Sequence, residues 1–505
     1  MPIPTPPLIC VATHHDSITE LLGDSEFLAL ANRDGFLIEL RLDYFRDLND
    51  ASLERALNAF APGVLATYRH PGEGGKNVKA NDAGRLRMLQ RAVDQGVKFV
   101  DIEAQTQRGK FNKRGARLIL SHHDFHHAPG GNEFKRTLAA MRAQDGVDLV
   151  KAAVTPKTIF DTLPLLEQLR ADGPRCIMLG MGEAGLWTRV LAGKFGSPLT
   201  YARGENAPGT APGQLTWRQL DELYRFRQIG ALWPVYGVIG SPIAHSLSPL
   251  MHNSALQALA LDGVYLPFKV DGDPAEFTRA FEALGLRGLS VTIPHKERVA
   301  LACQTIDPIA QKIGAVNTLV WNPEHGIAGF NTDAEAAASS LEAQLGALAD
   351  KKILILGAGG AARAVAFGVK ARGAQVYICN RTQHRAATLA REVGAATVSD
   401  DQIAGLQPDA IVNTTPIGMS PNIAASPLQE SQLPKSGLVF DTVYNPLRTR
   451  LLEMAQAHGC KTLEGLEMFV EQGARQLELW TGHTAPRNLM RRVVLDALLK
   501  RQKTE

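Results

Sequence analysis

Residues 351–380 read KKILILGAGGAARAVAFGVKARGAQVYICN. An apolar run of strand length, a glycine turn, an amphipathic stretch closed by Gly373 and a second apolar run follow one another, and that order separates a dinucleotide fingerprint from an ordinary tight turn. Gly357 permits the turn. Gly359 and Gly360, with only Ala358 and Ala361 around them, let the backbone approach a pyrophosphate, and the start of the helix attracts its charge. Beyond the second strand, where an NAD site carries an acidic residue for the ribose hydroxyl, the chain has Asn380, Arg381, Thr382 and Arg385. Positive charge at that place favours the 2′-phosphate of NADP.

Working outward, the alanine-rich stretch AEAAASSLEAQLGALAD predicts a helix before this unit, so a Rossmann-type layer is expected over residues 336–465. Upstream, a new strand VYGVIG begins at Val235 and leads into GSPIAHSLSPLMH, which sets Ser246 and Ser248 two residues apart. VTIPHKE contributes Lys296, and GAVNT and GFNTD end in Asp333. A lysine and an aspartate can move a proton at a carbonyl oxygen while hydride transfers at its carbon. An α/β substrate domain is expected over 232–335, with C-terminal helices over 466–505 returning to it.

The first half has another rhythm. Eight short apolar runs, PLICVAT, FLIELRLD, VLATYR, KFVDIE, ARLILSHHDF, DLVKAAV, RCIMLGM and PLTYA, alternate with amphipathic stretches such as NDASLERALNAF and DAGRLRMLQRAVDQG. Eight βα repeats predict a closed (β/α)8 barrel domain over 1–228, with a connecting helix from Thr216 to Ile229 at its end and a boundary near residue 231. The polar residues sit where strands end: Glu39, Arg41 and Asp43; Arg69; Glu103; His122 and His123; Lys151. One such residue is ordinarily a solvated strand terminus, but repetition on successive strands points to an active rim. Lys151, flanked by apolar residues in DLVKAAV, is a candidate Schiff-base nucleophile, and a snorkelling edge lysine is the plain alternative. His123 is a candidate general base, and Glu73 a carboxylate to orient it. The histidines 122, 126 and 127 with Asp124 do not converge as metal ligands must, so no metal is expected.

Composition narrows the class. At 505 residues the chain exceeds what one core supports, and 54 basic and 51 acidic residues are interleaved without the basic block of a nucleic-acid footprint. Five scattered cysteines suit a reducing cytoplasmic interior, and no run of apolar residues is long enough to span a membrane. Small anionic substrates are the expected partners. The oligomeric state is not legible.

Taken in order, ELRLD, YRHPGEGG, SHHDFH, LVKAAV and TAPGQ resemble type I 3-dehydroquinate dehydratases. That resemblance implies that Lys151 forms an imine with the substrate ketone, that His123 moves the neighbouring proton with Glu73 behind it, and that Glu39, Arg41, Arg69, Arg189, Thr210 and Gln214 hold the substrate. Thr210 stands where relatives carry serine. The motifs of residues 235–500, with NTTPIGM, DTVYNPLRTRLL and EGLEMFVEQG, resemble shikimate dehydrogenase. Here the resemblance implies a Lys296/Asp333 dyad, a carboxylate on Ser246 and Ser248, and ring hydroxyls on Thr292, Asn317, Asp333 and Gln472 with Tyr444 nearby. Ser290 stands where many bacterial relatives have asparagine. The adenosine phosphate would meet Asn380, Arg381, Thr382 and Arg385, and Thr414, Met419, Gly465 and Met468 would border the cofactor.

Together these imply a bifunctional enzyme whose first product, 3-dehydroshikimate, is the ketone its second half reduces. A dehydrogenase half that prefers quinate is the alternative. A non-catalytic quinate sensor, the form of certain fungal repressors, would have lost its chemical groups, and Lys151, His123, Lys296 and Asp333 are all present.

Overall fold

The computed structural model describes residues 6–61 and 63–502. The chain divides into two compact units, one of Met1–Pro234 and Leu266–Asp271, the other of Val235–Tyr265 and Gly272–Glu505.

All eight expected strands of the first unit form: β1 (Leu8–Ala12), β2 (Phe36–Arg41), β3 (Val64–Thr67), β4 (Phe99–Glu103), β5 (Arg117–Asp124), β6 (Leu149–Val154), β7 (Cys176–Gly180) and β8 (Leu199–Ala202). They pair in parallel in the order β7-β6-β5-β4-β3-β2-β1-β8, a nearly closed barrel. Period-two alternation sorts each strand into two faces. Leu37, Leu65, Phe99, Ile119, Leu149, Ile177 and Leu199 point inward and fill the interior. The intervening residues of β5–β7, such as Leu120, Val150, Ala152 and Met178, meet the apolar stripes of the helices Gly131–Arg142 and Leu163–Asp172. Two residues beyond Leu37, Leu65, Phe99, Ile119 and Leu149, the same face carries Glu39, Thr67, Asp101, Ser121 and Lys151. The barrel is therefore packed at one end and polar at the other.

The connecting helix expected from Thr216 to Ile229 does not form as one element. Thr216 bridges to Arg203, a short π-type turn covers Gln219–Leu223, Arg225 takes a left-handed conformation (φ 52°), and Phe226–Gln228 is a 3-10 turn. The left-handed residue breaks the helix and lets both Leu220 and Phe226 be buried, which one straight helix face would not do.

Beyond the barrel the chain forms two six-stranded sheets. In the first, β10 (Val264–Lys269), β9 (Val235–Gly240), β11 (Leu286–Val291), β13 (Thr318–Asn322), β14 (Gly326–Phe330) and β12 (Thr305–Ile306) lie in that order, with β11, β13 and β14 antiparallel. The other orders β17 (Ala396–Thr397), β16 (Gln375–Cys379), β15 (Lys352–Leu356), β18 (Ala410–Asn413), β19 (Leu438–Asp441) and β20 (Lys461–Leu463), all parallel. Strand order reverses beside β15, and in such sheets ligands bind outside the carboxyl ends of the strands at the reversal.

The alanine-rich helix runs from Thr332 to Leu345, so a domain limit at 335/336 falls one turn inside it. Ala336, Ala337, Ala338 and Leu341 join the core of Ile353, Ile355, Val365 and Val369. The approach is close: a Cβ at Gly368 would lie 2.2 Å from the Ala334 carbonyl oxygen. The helices Gly465–Thr481 and Arg487–Gln502 place Leu466, Val470, Met490 and Val494 against Tyr236 and Val238 of β9 and Met251 of the helix Ser248–Ala258.

Candidate active sites

At the polar end of the barrel Lys151 is 4% exposed, its Nζ 2.9 Å from Asp101 Oδ2 and 4.0 Å from the centre of the Tyr201 ring. Its apolar sequence neighbours lie on the other face or deeper, so the ammonium meets a carboxylate and a ring rather than the wholly apolar pocket its flanks suggest. Asp101 also faces Arg69 at 3.0 Å, and Arg69 bonds Glu103 (3.0 Å) and Ser121 (2.7 Å). Arg85, 1% exposed, pairs with Glu103 from outside. Burial alone would raise the Asp101 carboxyl, but Arg69 and Lys151 override it and hold the group well below the carboxylate range.

His123 Nδ1 lies 2.8 Å from Glu73 Oε2, and the same oxygen accepts the His123 backbone N–H at 3.0 Å. Burial, helped by Arg69 and Lys151, pushes the imidazole well below its usual value, which keeps it neutral and able to take a proton. Burial also raises Glu73 to about 7 against the opposing charge of Arg69. An unfolded Glu73 ionises near 4.5, so the folded protein holds the extra proton between about 4.5 and 7 and loses stability as pH rises through that window. Glu73→Gln removes the titration and keeps an acceptor for His123. The melting temperature of the variant relative to the parent is expected to be a few degrees more favourable at about pH 8 than at about pH 5; an equal difference at both pH values would contradict the raised carboxyl.

The remaining rim residues are also placed. Glu39 accepts from Thr67 Oγ1 at 2.8 Å, and Arg41 grips Asp43 through two bonds of 2.9 and 2.8 Å. Arg189 is 1% exposed, its Nε is without a hydrogen-bond partner, and burial lowers its guanidinium to about 10. A buried cation with an unused donor is a receptor for an anion. Thr210 bonds Gln214 Oε1 through its backbone N–H (2.8 Å) and hydroxyl (3.1 Å), and Gln214 donates to the Ala202 carbonyl. Asp124 accepts from the backbone N–H groups of His126 and His127, so it caps a turn.

In the second unit Lys296 Nζ stands 2.5 Å from Asp333 Oδ2. Asp333 is held at the start of its helix by Asn331, whose side chain accepts the N–H groups of Asp333 and Ala334. Asn317 Oδ1 accepts from Thr332 N (2.8 Å) and Thr318 Oγ1 (2.7 Å). Ser246 Oγ accepts the Ser248 N–H at 3.3 Å, and Thr292 closes the turn into His295. Tyr444 stacks on Phe469 with ring centres 4.6 Å apart, and Gln472 donates to the Phe469 carbonyl. Ser290 accepts from Tyr265 OH and donates to Gln476 Oε1, both at 2.7 Å, so its hydroxyl belongs to a buried network.

Outside the carboxyl ends of β15 and β16 lies a groove of about 1050 Å³, lined by Gly357, Asn380, Arg381, Thr382, Arg385 and Thr415 among others. Gly357 adopts φ +116°, where a side chain would be strained and would meet Thr414 Oγ1 at 2.6 Å. A Cβ at Gly359 or Gly360 would meet no atom within 4 Å, so these positions leave a cradle at the start of the helix Gly360–Ala371. The exposed Arg381 and Arg385 bring cations to the same groove. A pyrophosphate at the cradle and a further phosphate at the arginines fit these residues. Of the other expected cofactor contacts, Met419 is 46% exposed, a Cβ at Gly465 would lie 2.6 Å from the Thr442 carbonyl oxygen, and Met468 packs in the core behind the sheet.

Family models match along both halves of the chain. Residues 9–231 match the type I 3-dehydroquinase family; 238–319 match the shikimate dehydrogenase substrate binding domain, 339–418 the shikimate/quinate 5-dehydrogenase family, and 465–495 the shikimate 5′-dehydrogenase C-terminal domain. A chloroplastic bifunctional 3-dehydroquinate dehydratase/shikimate dehydrogenase of Arabidopsis thaliana is 35% identical over 96% of this chain and 84% of its own. The chain belongs to the bifunctional 3-dehydroquinate dehydratase/shikimate dehydrogenase family. Its dehydrogenase half is 44% identical to the shikimate dehydrogenase (NADP(+)) of Methanosarcina barkeri, over 52% of this chain and 98% of that one. Among solved structures, shikimate 5-dehydrogenase of Thermus thermophilus, in complex with NADP(H) and shikimate, is 38% identical with a TM-score of 0.50, over 52% of this chain and 100% of that one.

In this dehydratase/dehydrogenase the residues that sequence reading passed over are Asp101, Ser121 and Tyr201 around Lys151, and Tyr265 and Gln476 around Ser290. The signal for the first group was present: KFVDIE alternates, so Phe99 inward and Glu103 at the rim place Asp101 on the same face as Lys151. Among the described residues no group of three or more histidine, cysteine, aspartate or glutamate side chains is arranged to hold a metal, and no helix is long and apolar enough to cross a membrane.

Proposed function

We propose that Lys151 attacks the ketone of 3-dehydroquinate and, with loss of water, forms an imine on the barrel rim. His123 then removes the proton from the neighbouring carbon and returns it to the departing hydroxyl, so one water leaves overall; hydrolysis of the imine frees Lys151 and 3-dehydroshikimate. The observation that carries this reading is the buried arrangement of Lys151 with a neutral His123 held by Glu73 at 2.8 Å. Arg189 receives the substrate carboxylate, and Glu39, Arg41, Arg69, Thr210 and Gln214 take its hydroxyls. Borohydride added with dehydroquinate is expected to fix an adduct on Lys151, and recovery on another lysine or on none would overturn the assignment.

The second half reduces 3-dehydroshikimate to shikimate. NADPH, when bound, supplies the hydride. Ser246 and Ser248 hold the substrate carboxylate, and Thr292, Asn317, Gln472 and Tyr444 orient the ring. Lys296 donates a proton to the carbonyl oxygen as it becomes a hydroxyl, and Asp333, at 2.5 Å, keeps that ammonium aimed. Arg381 and Arg385 favour NADP over NAD through the 2′-phosphate. Replacing Arg381 by alanine is expected to lower the ratio of kcat/KM with NADP to that with NAD by about 10- to 100-fold, read from steady-state rates; an unchanged ratio would remove Arg381 from cofactor choice. Rates with shikimate and quinate decide the substrate, and a faster quinate reaction would reverse our choice.

All five cysteines are unpaired, which suits a reducing, cytoplasmic setting.

A further inference from the structure

Under the assignment above, the carboxylate of the dehydrogenase substrate meets two neutral hydroxyls, Ser246 and Ser248. Lys296, the cation of that site, is engaged by Asp333 at 2.5 Å. A carboxylate leaving water calls for opposite charge or convergent N–H donors. The helix Ser248–Ala258 offers part of this: its N-cap is Leu247, no side chain caps it, and its first N–H reaches Ser246 Oγ at 3.3 Å. Neutral donors alone would make a weak carboxylate site.

The last helix, Arg487–Gln502, packs along that helix through Met490, Val494 and Leu498 against Met251, Ala255 and Leu256. Its final turn is basic, with Lys500 and Arg501. The packing brings this turn to the start of the serine helix, where Arg501 Nη1 donates to the His245 carbonyl at 3.1 Å, one residue before Ser246. The same guanidinium is felt at Tyr444, where its charge partly offsets the burial that raises the phenol. Arg501 is thus bonded to the residue that precedes the proposed serine pair. Its planar fork of five N–H donors can serve a backbone carbonyl and a carboxylate together.

We infer that Arg501, in the last turn of the chain's final helix, is a specificity-determining residue of the dehydrogenase: it supplies the positive charge that recognises the carboxylate of an anionic alicyclic substrate at Ser246 and Ser248. The inference rests on the proposed role of those two serines. It also gives the C-terminal helix a part in substrate choice.

The test measures kcat/KM for oxidation of shikimate and of shikimate methyl ester, with NADP saturating, in the full chain and in Arg501→Gln, Arg501→Lys and Ser246→Ala variants. Arg501→Gln is expected to lower kcat/KM for shikimate about tenfold and to change the neutral ester by less than about twofold, with Arg501→Lys recovering part of the loss. Added salt should weaken shikimate turnover in the parent more than in Arg501→Gln. Dehydration of dehydroquinate by the same preparations certifies folding. Equal losses on acid and ester would mean that Arg501 only braces the His245 turn, and no loss would mean no role; either overturns the inference. If Ser246→Ala leaves shikimate turnover unchanged, the serine assignment fails and the inference with it.

Discussion

Lys151→Ala is expected to lower dehydration of 3-dehydroquinate by about four orders of magnitude or more while reduction of 3-dehydroshikimate continues at the parental rate. Removing a nucleophile leaves only binding and electrostatic stabilisation, and the residual rate in such cases is a small remnant. The variant should fold. Asp101 loses its bond to Lys151 but keeps Arg69 at 3.0 Å, so no uncompensated charge is stranded in the barrel. The lysine and the dehydrogenase residues belong to separate compact units, and the second activity therefore reports that the chain is intact. Separate assays of the two half-reactions check this, and loss of both in a soluble, folded variant would contradict the independence of the sites.

The second large effect falls on Asp333. Replacing it by asparagine keeps the shape of the side chain and leaves Asn331 capping the helix start, yet removes the charge that holds Lys296. Reduction of 3-dehydroshikimate is expected to fall by about 10²- to 10⁴-fold, the range for a displaced general acid, with dehydration unaffected. Lys296→Ala should fall by a similar factor, and the double variant by little more than either single one, because the two residues act as a unit. Losses that multiply across the double variant would show that they work separately.

Much of this architecture was legible in the sequence because it rests on periodicity. Eight apolar runs marked eight strands, and the glycines of GAGGAAR, standing between a strand and a helix, marked the cofactor cradle. Lys151, His123 and Glu73 could be named because polar residues recur along successive strands and the turns after them, although Lys151 lies within β6 rather than at its end. What alternation alone did not reveal was pairing across the barrel. Asp101 and Lys151 are 50 residues apart, and nothing local says that one carboxylate will face both that lysine and Arg69. The Ser290 network joins strand and helix residues 186 positions apart, a pairing that no local pattern announces. The region after Thr216 misled for a different reason: its composition suits a helix, and one left-handed residue, Arg225, ends it.

The central claim is that one polypeptide carries out two consecutive reactions. It is tested most directly by giving the purified chain 3-dehydroquinate and NADPH together, following NADPH by absorbance and the products by NMR. Conversion to shikimate, with one NADPH consumed for each dehydroquinate lost, is the expected result. Accumulation of 3-dehydroshikimate with NADPH untouched, or dehydroquinate left unchanged, would contradict it.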